Sequence, residues 1–252
     1  MKIVAFASAA GGSGRTSVVA ALTVLLAQRA LPVVSIELDA QNLLGTFLGL
    51  SQAPALGFSR QVLEKADPWK GTTYRSGEGA LFVPFGAVTP RERLAFEAAV
   101  DAEPQWLSHR LAQIDLPAHG IVLLDTARSP DPLAAQALAC ADQVLWVTRP
   151  DSLAVAALAG CLDKEPEGRG FRVLVNGLHP AYALQKDVLV MLRARIGSAC
   201  LLDVRIHQDE SVPGAYALGE PCTQAYPQSQ ASHDYYELAD WLCGSLGLVE
   251  GL

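Results

Sequence analysis

The chain has 252 residues, half of them hydrophobic and 18% charged, with a formal net charge of −7. That length supports one substantial core and is marginal for two, and the composition excludes a disordered tail. The acidic balance denies the chain the broad Lys and Arg surface that a direct grip on nucleic acid requires.

In chain order, the apolar run Ile3–Ala7 predicts a first strand, and a glycine-rich turn leads from it into a helix over Thr16–Arg29. A strand at Val33–Ile36 follows. The segment 50–80 is rich in Gly, Ser and Pro and holds one helix; it reads as an ordinary loop for most of its length, or as a surface excursion or partner-binding insertion. Strands are then expected at Ala80–Phe85, Ile121–Leu124, Val144–Val147, Val173–Val175 and Leu201–Val204. Between them, apolar residues at three- and four-residue spacing predict helices over Arg91–Val100, Trp106–Ile114, Pro132–Cys140, Leu153–Leu162 and Leu184–Ile196. Lys164–Gly170 reads as a solvated turn, and a last helix begins near His233, Tyr235 and Tyr236, which pack rather than react.

Strands alternating with helices predict an α/β fold. We expect a single domain over residues 1–252, with a mostly parallel sheet of about seven or eight strands and helices on both faces. Ligands of such sheets bind beyond the carboxyl ends of the strands. The five cysteines, Cys140, Cys161, Cys200, Cys222 and Cys243, include no CxxC pair and no histidine at ligand spacing. They read as reduced thiols of a cytoplasmic protein. The amino-terminal apolar run breaks at glycines instead of continuing as a signal-peptide core, and no run reaches the roughly 18 apolar residues of a membrane span.

The turn after the first strand reads Gly11-Gly12-Ser13-Gly14-Arg15-Thr16-Ser17. Glycines let successive backbone N–H groups converge on one anion, and a helix N-terminus adds its partial positive charge. That is the composition of a phosphate cradle for ATP or ADP. Thr16 is placed to offer a hydroxyl to Mg²⁺, and Ser17 to a phosphate oxygen. Arg15 stands where such loops carry Lys; it keeps the charge but is planar, forked and bulkier, so binding should survive better than catalysis. Asp125 ends an apolar strand and Glu37 ends its neighbour, which suits both to a magnesium shell through water. Asp39, two residues beyond Glu37, is placed to orient an attacking water.

Together with "VVSIELDAQNLLG", "IVLLDTARSPDPLAAQAL" and "VLVNG", this loop resembles the deviant Walker A ATPases, the MinD and ParA group. Their loop carries two lysines; here Ala10 and Arg15 take those places. The resemblance implies a P-loop NTPase fold, puts Glu37 and Asp39 at switch I and Asp125 at the Walker B position, and makes Asn176 the residue that reads adenine. The run Ile206, His207, Asp209, Glu210 is similar to the BcsQ branch, which serves bacterial cellulose synthesis, and BcsQ-type chains also depart from the lysine pattern. By that likeness His207 and Asp209 belong to the nucleotide pocket, with His207 lining it or supporting its loop.

The family's activity implies a cytoplasmic ATP-dependent homodimer with nucleotide near its interface and slow Mg²⁺-dependent hydrolysis. Arg15, Arg128 and Arg149 are the candidates to replace the missing inter-subunit lysine. Accessory subunits of BcsR-like or other kind would link the chain to the inner-membrane synthase complex. The carboxyl end, "YYELADWLCGSLGLVEGL", is acidic without Lys or Arg, which argues against direct lipid binding. Rival readings are a partitioning or positioning ATPase, a P-loop enzyme of small-molecule metabolism, and a scaffold that binds nucleotide and barely turns it over.

Overall fold

A computed structural model describes residues 1–52, 54–64, 69, 71–163 and 170–248. The turn expected at Lys164–Gly170 lies outside the described residues apart from Gly170. In chain order the elements are β1 (Lys2–Ala7), α1 (Arg15–Gln28), β2 (Val33–Glu37), α2 (Leu44–Phe47), α3 (Phe58–Leu63), β3 (Tyr74–Arg75), β4 (Leu81–Val83), α4 (Pro90–Ala102), α5 (Trp106–Leu111), β5 (Ile121–Asp125), α6 (Pro132–Cys140), β6 (Gln143–Thr148), α7 (Ser152–Leu162), β7 (Phe171–Leu178), α8 (Ala183–Ile196), β8 (Leu201–His207), α9 (Ser211–Leu218), α10 (Cys222–Ala225) and α11 (Gln230–Ser245).

The strands form one eight-stranded sheet in the order β3-β4-β2-β5-β1-β6-β7-β8. Every neighbouring pair is parallel except the short edge pair β3 and β4. Side chains alternate across a strand, so β1 sends Val4 and Phe6 to one core, shared with α1 and α11, and Ala5 and Ala7 to the other. Both faces are covered, which is why the central strands read as unbroken apolar runs. The chain leaves β1 for α1 at the middle of the sheet, with β5 on one side and β6 on the other. This is the crevice position at which open parallel sheets hold ligands.

Within the segment 50–80, residues 57–59 are packed against the chain after β4. Gly57 lies against the backbone of Pro84, Phe85 and Gly86 so closely that no Cβ fits, and Phe58 and Ser59 donate backbone hydrogen bonds to Pro84 and Phe85. Phe58 then enters an aromatic cluster with Phe96 and Trp106. The last helix starts at Gln230, ahead of the expected His233, because the Ser229 side chain caps it by accepting from Ser232 N. Helix α9, which no periodicity announced, fills the connection after β8. All five cysteines are unbridged. Among the described residues no helix is long and apolar enough to cross a membrane.

Candidate functional site

The loop between β1 and α1 borders a cleft of about 590 Å³. Residues 10–17 line one wall; Asp39, Leu43 and Phe47 come from the segment after β2, Arg128 and Asp131 from the segment after β5, and Arg93 from α4. Helices α4, α6, α7 and α11 begin with side-chain caps from Thr89, Asp131, Asp151 and Ser229. Helix α1 begins instead at Gly14, at φ 78°, with no side-chain cap. Residues 14–17 at its start line the cleft, and the N–H groups of a helix start can receive a phosphate. Gly11 and Gly12 are exposed, and Thr16 and Ser17 sit at the first turn, as expected of the cradle.

Arg15 is 7% exposed, and its guanidinium is held on three sides. Nε donates to Asp125 Oδ1 at 2.5 Å, Nη1 to Ser8 Oγ at 3.1 Å and Nη2 to Asp39 Oδ2 at 3.0 Å. Burial works against this charge, but the Asp125 and Asp39 carboxylates outweigh it and raise the pKa above its ordinary value. The side chain that stands at the loop's lysine position is thus turned inward onto two acids expected to serve metal and water. Asp39 has its other oxygen engaged as well, accepting from Gln41 N at 3.0 Å.

Magnesium was expected on Thr16 directly and on Glu37 and Asp125 through water; Thr16 lines the cleft, but the two acids as arranged do not fit that shell. Asp125 is 0% and Glu37 1% exposed, and neither lines the cleft, whereas Arg15 does. Glu37 Oε1 accepts from the N–H groups of Leu43 and Leu44, fastening the segment after β2. Burial, reinforced by the neighbouring Asp125 charge, pushes the Glu37 carboxyl up to about 8, against the lowering effect of those two N–H groups. Glu37 Oε2 and Asp125 Oδ2 stay buried without a hydrogen-bond partner, at paired positions of β2 and β5.

The three residues expected at the base lie outside the cleft's lining. Asn176 Nδ2 donates to Ser13 O at 2.7 Å, which props the phosphate loop and leaves Oδ1 as the acceptor for a ligand. His207 donates both its backbone N–H and Nδ1–H to Asp234 Oδ2, at 2.7 and 2.9 Å. Asp209 accepts from Ser211 N at 2.9 Å and from Ala231 N at 3.1 Å, bracing the starts of α9 and α11. Both oxygens of Asp209 thus serve backbone N–H groups, one at each helix start. Arg149 pairs with Asp151 at 3.4 Å and does not line the cleft; Arg128 does. Ser8, Arg93, Asp131 and Asp234 went unnoticed in the sequence. Only Asp131 carried a local signal there, an Asp-Pro at a helix start.

A family model described as "Cellulose biosynthesis protein BcsQ" matches residues 1–243. The cellulose biosynthesis protein BcsQ of Salmonella typhimurium is 28% identical over 253 residues, covering 96% of this chain and 94% of that protein. Among solved structures, an McdA variant from Cyanothece in complex with ATP superposes with a TM-score of 0.78 at 17% identity, covering 100% of this chain and 98% of that one. The septum site-determining protein MinD from Pyrococcus horikoshii, complexed with Mg-ADP, gives a TM-score of 0.74 at 18% identity, covering 99% and 98%. At such identities the structural likeness is one of fold.

Proposed function

The chain belongs to the BcsQ family of cellulose biosynthesis proteins, and from that premise we propose that it is an ATP-binding switch with slow turnover, supporting assembly, localisation or regulation of the cellulose secretion machinery. The observation that carries this reading is the start of α1 on the wall of the 590 Å³ cleft, where the helix dipole meets the glycines of the loop. The ATP and Mg-ADP complexes of proteins with the same fold support a nucleotide as the ligand.

Slow turnover follows from the state of Asp39. Its Oδ2 is paired with Arg15 and its Oδ1 with Gln41 N, so the carboxylate has to leave one partner before it can orient a water. Asp39 is 17% exposed and lines the cleft, which leaves it free to do so. The chain would act as a homodimer with nucleotide at or near the interface. Arg128, exposed on the cleft wall, is the residue suited to the cross-subunit contact that Ala10 lacks. Recruitment to the inner membrane would run through accessory subunits and the synthase complex.

Hydrolysis and ATP-dependent dimerisation, measured side by side for wild type and Asp39→Ala, test this. We expect wild type to bind ATP and dimerise with a low hydrolytic rate that Asp39→Ala abolishes. A measurable rate that survives Asp39→Ala would remove Asp39 from the mechanism. A second reading, a nucleotide-bound scaffold without turnover, is favoured by the engagement of each Arg15 guanidinium nitrogen with a protein acceptor; dimerisation with no hydrolysis in wild type would establish it.

A further inference from the structure

The three anchors of Arg15 come from three separate places in the chain. Ser8 follows β1, Asp39 follows β2 and Asp125 ends β5, so the guanidinium is held at the point where the carboxyl ends of three adjacent strands converge. All three of its nitrogens donate, and it is 7% exposed. Arginine retains its proton throughout the pH range in which proteins fold, and a covalently attached cation cannot dissociate. This is a permanent positive charge on the floor of the phosphate cleft.

A divalent ion and this guanidinium compete for the same ground. Magnesium requires near-octahedral oxygens at about 2.0–2.1 Å and surrenders its water reluctantly. Asp125 Oδ1 already carries Nε at 2.5 Å and Asp39 Oδ2 carries Nη2 at 3.0 Å, so an ion approaching either oxygen meets the volume and the like charge of the guanidinium. A single guanidinium has half the charge of the ion, and the same cleft is lined by two further arginines, Arg93 and Arg128. Arg93 is itself bonded to Glu97 at 2.8 Å, whereas Arg128 is exposed.

We infer that Arg15 is a resident cation that stands in for the divalent metal in this chain, so that the phosphates of the nucleotide bind without magnesium. The inference rests on the reading of the cleft as a nucleotide site. Arg15 is here a binding residue for phosphate and a positioning residue for Asp39 and Asp125.

Equilibrium binding of ATP and ADP to the full chain, by calorimetry, tests it in magnesium chloride and in excess EDTA, for wild type, Arg15→Lys and Arg15→Ala. Wild-type affinity is expected to be nearly the same in both buffers. Both variants are expected to bind at least about tenfold more tightly with magnesium than with EDTA, a difference of roughly 1.4 kcal/mol. A wild-type protein that loses tenfold or more on chelation overturns the inference and leaves the nucleotide reading intact. Variants as indifferent to chelation as wild type also overturn it, since Arg15 is then not the reason. Wild type that binds neither nucleotide in either buffer overturns both readings. The comparison of buffers on wild type stands alone if Arg15→Ala fails to fold.

Discussion

Asn176 lies directly against Gly14: its amide nitrogen donates to the Ser13 carbonyl at 2.7 Å, and a Cβ placed on Gly14 would overlap that nitrogen. The end of β7 thereby holds up the phosphate loop of β1, two strands away across β6. Gly14→Ala should destabilise the chain on two counts, about 1–2 kcal/mol for a side chain at φ 78° and a further cost for displacing Asn176. Asn176→Ala alone should cost about 1 kcal/mol for the lost hydrogen bond. In the double variant the overlap disappears while the backbone strain persists, so the two effects should sum to less than their parts in a denaturation cycle. Additivity would mean the two residues do not touch.

Asp125 and Asp39 share one guanidinium but differ in burial, 0% against 17% exposed. Asp125→Ala leaves a buried charge without its main partner and should cost about 3–5 kcal/mol in urea denaturation. Asp39→Ala removes a partly solvated arm and should cost about 1–2 kcal/mol. Equal losses would show that Arg15 follows Asp39 out of the interior rather than staying on Asp125.

Glu37 makes stability depend on pH in a direction opposite to that of most surface carboxylates. Its folded pKa is raised from 4.5 to about 8, so the folded chain holds a proton that the unfolded chain has released throughout that interval. The stabilisation is full below the lower value and declines as pH rises through the upper one. Glu37→Gln keeps an acceptor for the N–H groups of Leu43 and Leu44 without a titrating proton. Unfolding measured at pH 6, 7 and 8, as order-of-magnitude steps through this window, should show wild type losing stability relative to Glu37→Gln. A constant gap between the two would mean Glu37 is ionised throughout.

The alternation of strands and helices and the mostly parallel sheet were legible in the sequence because both are written locally, as apolar runs of strand length between helical spacings; the two-residue edge strand β3 was too short to show. The role of Arg15 was not legible either. The sequence shows an exchanged lysine, but its partners Asp39 and Asp125 lie 24 and 110 residues away, and only the sheet order brings them to one point. Arg93 escaped for the same reason: α4 reaches the cleft across the sheet edge from a segment whose own pattern announces nothing but a helix. Asp209 is placed at the nucleotide by likeness to the BcsQ branch, and the bond from the far start of α11 to its carboxylate is written in the fold, not in the local sequence.

That difference in the reading of Asp209 is itself measurable. Asp209 accepts from one backbone N–H at the start of each of two helices, and those hydrogen bonds hold its carboxyl below the usual carboxylate range in spite of partial burial. Removing a helix-start acceptor of this kind costs about 0.5–2 kcal/mol. Asp209→Ala should therefore lower the urea midpoint while leaving ATP affinity changed by less than about tenfold, the equivalent of roughly 1.4 kcal/mol. Asp209→Asn, which keeps one acceptor oxygen, should recover part of the stability. A loss of ATP affinity beyond tenfold at unchanged stability would return Asp209 to direct contact with the nucleotide, and with it the loop between β8 and α9 to the wall of the site.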